Sequence, residues 1–253
     1  MEFVRGNLVL GRGTLYFDQF GDTPYVGLGE RYLGNSPAVA FKTSKDVQPI
    51  IDCIGGQLVR VGAHVISQEA EGSFVTDNID PENLAMWFGA KDSGRVAGAG
   101  AVSTAATVYQ GRYYQIGVTP ANPLGRRNFT SISVTKGGVT VAPTGNYDYD
   151  LADGRVRILP GSSILNGETI LMTGTAVATA EKILIPNGSL VVGALRFVAY
   201  ALHGNGQDYL FPAVELQAAG DFQLKGTAWQ ELRFNVVARK RPNYEMYYAA
   251  ARG

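Results

Sequence analysis

Charge is the first thing this sequence has little of. Asp, Glu, Lys and Arg make up 17% of its 253 residues, against about 25% in an average soluble domain. The 22 basic and 22 acidic side chains cancel. With no net charge and no basic run, the electrostatic footprint of a protein that grips nucleic-acid phosphates is missing, so no DNA affinity is expected. Cysteine is nearly absent. The lone Cys53 cannot close a disulfide within the chain, which fits folding in a reducing compartment, and no histidine or basic residue flanks it to lower its pKa. Long apolar runs are missing too. The richest, Leu190 to Leu202, is broken by Gly193 and Arg196 and is too short to cross a bilayer as a helix. Met1-Glu2-Phe3-Val4-Arg5-Gly6 opens no signal-peptide core, so neither a membrane span nor a leader is expected.

Motifs that carry chemistry are equally scarce. His64 and His203 stand in separate strand-like runs with no Cys or carboxylate at ligand spacing, so no metal site is expected. Asp148, Asp150 and Asp153-Gly154 come near a calcium loop, but the third acid is one residue late and Leu159 takes the place of the closing Glu. A hairpin turn is the better reading. Gly98-Ala99-Gly100 follows no strand and opens no amphipathic helix, which excludes a dinucleotide fingerprint. There is no G-x-S-x-G elbow, and Glu69 with Glu71 reads as a solvated strand face rather than an acid and base pair. Neither an enzyme nor a cofactor is expected.

Glycine and proline, by contrast, are plentiful at 32 and 11. They punctuate short runs of alternating apolar residues, the pattern of a mainly β chain. Strands are expected across Arg31–Ser44 and again from Leu58, separated by a polar, glycine-containing loop over residues 44–57. In the second run Ser67, Glu69, Glu71 and Ser73 fall at period two, which puts them on one face with Ile66 and Phe74 on the other. One helix is expected at about 80–89. Asp80 caps it, Pro81 opens it, Ile79 and Leu84 form a hydrophobic staple, and Gly89 stops it. Leu84, Met86, Trp87 and Phe88 give that helix its apolar surface. Residues 91–108 read as a flexible, small-residue connection. After Tyr109 strands follow one another, with hairpin turns at Gly137-Gly138 and Asp153-Gly154. A single domain is expected, with an N-terminal arm and loop over 1–29 and a C-terminal arm over 240–253.

Four segments, ERYLGNSPAVAF, EGSFVTDNIDPENLAMWFGA, GALRFVAYALHGNGQDYLFPAVELQ and WQELRFNVVARKRP, together resemble the major tail tube protein of long, flexible-tailed bacteriophages. The resemblance spans most of the chain, and its most telling piece is the strand-then-helix D-N-x-x-P-E-N-L pattern of residues 72–89. It implies a β-sandwich or barrel-like fold with one flanking helix, a long hairpin loop and terminal arms that bridge neighbours. It also implies hexameric rings stacked into a hollow tube, assembled in the host cytoplasm and residing in the virion tail. Implied partners are further copies of the chain, a tape measure protein, and tail tip and tail terminator proteins, with DNA passing through unbound. On that model Ser67, Glu69, Glu71 and Ser73 would face the lumen, where lysine or arginine would trap phosphate. Lys45, Asp46, Gln48, Ile50, Asp52 and Cys53 would stack rings, with the loop ordering only on assembly, and Leu84, Trp87 and Phe88 would seat the helix. Arg12, Arg31, Arg60, Arg233 and Arg239 also lie near these segments. The alternative is a β-sandwich carbohydrate-binding or adhesion module with exposed aromatics. Against it, Trp87 on the helix and Trp229 at a strand start both read as core residues.

Overall fold

A computed structural model describes residues 11–53, 58–188, 190–200 and 204–252, with the side chains of 91–95 and 182 left aside. Residues 54–57 of the loop expected over 44–57, the first ten residues of the N-terminal arm and His203 lie outside the described residues. Among the described residues the fold is mainly β with one helix. In place of the single expected domain, the chain divides into two compact units, because residues 94–183 gather around a core of their own.

The first unit runs to Ser93 and resumes at Leu184. Its strands are β1 (Gly13–Gln19), β2 (Arg31–Tyr32), β3 (Ala38–Asp52), β4 (Val59–Thr76), β14 (Val191–Ala199), β15 (Gln207–Ala218), β16 (Leu232–Ala238) and β17 (Tyr248–Ala251). They form one sheet in the order β2-β1-β14-β15-β16-β4-β3, with β17 paired to β15 beside β16, and every pairing is antiparallel. Period-two alternation sends Leu15, Phe17, Leu195, Phe211, Phe234 and Phe74 to one face, where they form the core. Helix α1 (Pro81–Phe88) covers part of that face through Met86, Leu84 and Trp87. The expected cap holds: Asp80 accepts from the Asn83 N–H at 2.6 Å, and Gly89, at φ 55°, turns its N–H back to the last carbonyls.

The second unit, within 94–183, has two sheets over a shared core. One orders β6 (Gly100–Val108), β12 (Glu168–Ala176), β8 (Phe129–Lys136) and β9 (Val139–Val141), and the other orders β10 (Tyr147–Asp150), β11 (Arg155–Ile158) and β7 (Tyr113–Gln115). Both expected turns are present. Gly137 and Gly138 hold φ 56° and 83° between β8 and β9, and Asp150 Oδ1 accepts from the Ala152 and Asp153 N–H groups before Gly154. A Cβ on Gly154 would lie 2.2 Å from the Arg126 carbonyl, so glycine is required there.

Residues 91–108 are not a flexible connection. They form β5 (Ala90–Ala97) and β6, and β5 pairs with β13 (Thr179–Pro186) in a separate two-stranded sheet. Small residues suit β6 because it is paired along its whole length to β12, where alternate Ala, Ser and Thr side chains point outward. The C-terminal segment is likewise no free arm within the described residues, since β17 pairs with Gln207–Leu210 of its own chain.

Candidate assembly surface

β3 and β4 pair over fifteen registered positions, from Ala38↔Val75 to Asp52↔Val59. β16 supports β4 only from Glu71 to Thr76. Beyond Glu71 the hairpin therefore continues as a two-stranded ribbon. The loop expected over 44–57 is strand as far as Asp52. Pro49 and the nearby glycines hide this in the sequence, but Pro49 lies on β3, an edge strand, where a missing N–H is tolerated.

Cross-strand partners share a face, so the register assigns both faces of the ribbon. The core face of the sheet, carrying Val39 opposite Phe74 and Phe41 opposite Gly72, continues outward through Thr43/Ala70, Lys45/Gln68, Val47/Val65, Pro49/Ala63 and Ile51/Arg60. Beyond Lys45 it is an apolar strip left open by the described residues: Val47 is 39% exposed, Ile51 51% and Val65 52%. The opposite face carries Ser73, Glu71, Glu69 and Ser67 beside Ala40, Lys42, Ser44 and Asp46. These four side chains therefore do share one face, and it is the face turned from the core, with Phe74 buried behind it.

Ile66 departs from its expected place. The register passes from Asp46↔Ser67 to Val47↔Val65 and leaves Ile66 as the extra residue of a bulge, 60% exposed. A second irregularity falls between Ile50 and Ile51. Among the expected stacking residues, Asp46, Gln48, Ile50 and Asp52 lie on the polar side, Lys45 on the apolar side, and Cys53 is exposed just past the end of β3. The apolar trio Val47, Pro49 and Ile51 was the missed signal, although its period-two spacing is visible once the segment is read as strand.

The polar face is less acidic than its carboxylates suggest. Lys42 Nζ lies 2.9 Å from Glu71, and this hydrogen bond, the Glu71 charge and the more distant Glu69 hold the ammonium above its ordinary pKa. Three of the five arginines form ion pairs, and the other two lie near strand ends. Arg31 pairs with Glu82 at 3.0 Å and Asp80 at 3.4 Å, Arg233 with Glu231 at 3.2 Å and Arg239 with Glu215 at 3.4 Å, while Arg60 sits near the ribbon's end. Arg12 precedes β1, and its carbonyl accepts from the Tyr200 N–H at 2.6 Å.

The helix residues divide. Leu84 and Trp87 pack against the core, and Trp87 Nε1 donates to the Arg233 carbonyl at 3.1 Å. Phe88 is 45% exposed and stands edge-to-face with Trp87 and Phe222. The residue the sequence concealed is Asn83, fully buried, which donates to the Leu33 and Asn78 carbonyls and accepts from Arg31. Around it the ERYLGNS and DNIDPENL segments lock together: Thr76 donates to the Leu33 carbonyl at 2.8 Å and Asn35 to Asp77 at 2.6 Å. Trp229 is not a core residue, being 94% exposed in the connection between β15 and β16.

No group of three metal-ligating side chains occurs among the described residues, and no described helix is long and apolar enough to cross a membrane. The described surface offers an apolar strip, a polar face and open strand edges. No curated protein matches the chain. A family model matches residues 8–179, running from the first strands of unit 1 through the ribbon and helix to the start of β13. That stretch is well over half of the sequence, and the chain belongs to the family described as "Protein of unknown function UCP028589".

Proposed function

We propose that this protein is a self-associating structural subunit, built to stack into the hollow tail tube of a bacteriophage. The observation that carries the reading is the ribbon beyond Glu71, whose apolar side extends the core face of the sheet with no layer to cover it. Two-stranded hairpins are marginal in water by themselves, and apolar β-ribbons with free edges are templates for pairing. A second copy of the chain would supply the missing layer. A closed ring needs one heterologous contact and a stack of rings a second, which a projecting ribbon and the sheet body can provide separately.

On this reading the polar face bearing Ser67, Glu69, Glu71 and Ser73 lines the channel, where neutral or acidic side chains let DNA pass without counterion release. The tape measure, tail tip and terminator proteins would be its further partners, and the assembled tail its location. The test is electron microscopy and light scattering of concentrated purified protein, with antibody labelling along virion tails. Rings or tubes, and label along the tail, are expected. A monomer at every concentration and unlabelled tails would refute the proposal. The exposed Trp229 favours a carbohydrate-binding module instead. Monomers retained on immobilised glycans, and released by Trp229→Ala, would support that reading.

A further inference from the structure

The chain leaves unit 1 once and returns once, and both passages run through paired strands. β5 carries it out and β13 carries it back, so exit and return lie on neighbouring strands, roughly 5 Å apart. Such closely spaced ends let a domain be inserted into a host without pulling the host open. The two cores share no residue. Leu15, Phe17, Phe74 and Phe234 belong to the first, and Val134, Val156, Ile170 and Met172 to the second. Their surfaces differ as well. The ribbon concentrates exposed Val and Ile side chains, whereas the outward face of β6, β12 and β8 presents hydroxyls such as Ser103, Thr107, Thr169, Thr175 and Ser133. Every residue of the ribbon lies in unit 1.

We infer that unit 2 is an inserted module that folds and unfolds independently, and that self-association is a property of unit 1 alone. The second half rests on the self-association proposed above; the first does not. The family match extends through nearly all of unit 2.

The full chain carries its own reporter, because both tryptophans, Trp87 and Trp229, lie in unit 1. Tryptophan fluorescence therefore follows unit 1, while far-ultraviolet circular dichroism follows both units. Ile170, 1% exposed, is the site to cut: Ile170→Ala should lower the unit 2 melting step by roughly 10 °C or more and leave the fluorescence transition in place. Phe234→Ala should do the reverse. Should Ile170→Ala prevent unit 2 from folding at all, the fluorescence transition is still expected unchanged. A second variant, with residues 98–178 replaced by a short Gly-Ser turn between the paired strands, should keep that transition and the wild-type oligomer. Coincident loss of both signals in either core variant would overturn the independence of the module. An excised chain that stays folded but monomeric, while the wild type assembles, would overturn the assignment of assembly to unit 1. A wild type that never assembles refutes self-association itself and leaves the two melting steps to decide the module.

Discussion

Asn83 shows how much a single buried amide can organise. Its side chain uses both amide hydrogens and its oxygen, satisfying two carbonyls and orienting Arg31, which in turn spans Asp80 and Glu82 at the start of the helix. Cutting it to alanine would take the Asn83 donor from the Asn78 carbonyl, leave the Leu33 carbonyl with Thr76 alone, and leave the Arg31 guanidinium with its carboxylate partners only. Asn83→Ala should cost roughly 2–3 kcal/mol, read as a lower midpoint in the fluorescence-monitored denaturant unfolding of unit 1. Asp80→Ala removes the cap on the Asn83 N–H and should cost about 1–2 kcal/mol by the same measurement. A change below a few tenths of a kcal/mol in both would mean that the lock is ornamental. Gly34 adds a steric constraint to this lock. Its φ is 86° and a Cβ there would stand 2.2 Å from that of Asn78, so Gly34→Ala is expected to be worse than a usual surface change.

Among the elements, the ribbon and the C-terminal segment draw opposite consequences from similar exposure. The apolar strip can be interrupted without touching the core, because Val47 and Val65 face each other beyond the reach of β16. Val47→Asp with Val65→Asp should leave the circular dichroism of the chain unchanged and abolish higher oligomers in light scattering. Oligomers of wild-type size would exclude this strip as the contact. All four residues of β17 are exposed, yet the segment is fastened to its own chain. Arg241 stacks on Phe20, Tyr25 and Tyr244, and Arg252 joins Asp208 at 3.0 Å while donating to the Ala199 carbonyl. The sequence displayed the helix, its cap and the 137–138 and 153–154 turns plainly, because local chemistry at Asp80, Pro81, Gly89 and the glycine pairs decides them. It concealed the ribbon and β5 because their identity depends on pairing partners distant in the chain, and a Lys or Pro within them breaks the alternation. It concealed Ile66 because one bulged residue reverses the facing of all that follows. The polar face was legible as a face; the Lys42 partner that neutralises part of it was not.

At the scale of the whole molecule, two carboxylates with lowered pKa values, one in each unit, give acid a separate hold on each. In unit 1, Asp208 accepts from the Ala199 N–H at 2.8 Å, and this bond, with help from Arg252 and against some burial, lowers its pKa from the ordinary 3.8. In unit 2, Glu168 receives the Lys136 ammonium at 2.6 Å and the Leu165 N–H at 2.7 Å, which lower its pKa from the ordinary 4.5. A carboxylate whose pKa falls on folding stabilises the native state fully above its unfolded pKa, and that contribution disappears as pH drops through the folded value. Both groups are about a third exposed, so solvent screening keeps each effect modest and added salt weakens its ion-pair part. At the alkaline end, burial holds the Tyr147 hydroxyl above its ordinary 10.0, so its contribution to unit 2 is present below that value and is lost as pH rises beyond it. Glu168→Gln should therefore flatten the fall in unit 2 melting temperature between about pH 5 and pH 3, without altering the tryptophan-detected transition of unit 1. Asp208→Asn should flatten the unit 1 transition and leave unit 2 alone. If either substitution changes the acid response of both units equally, the two units do not titrate separately, and the division of the chain into two folding modules fails together with this prediction.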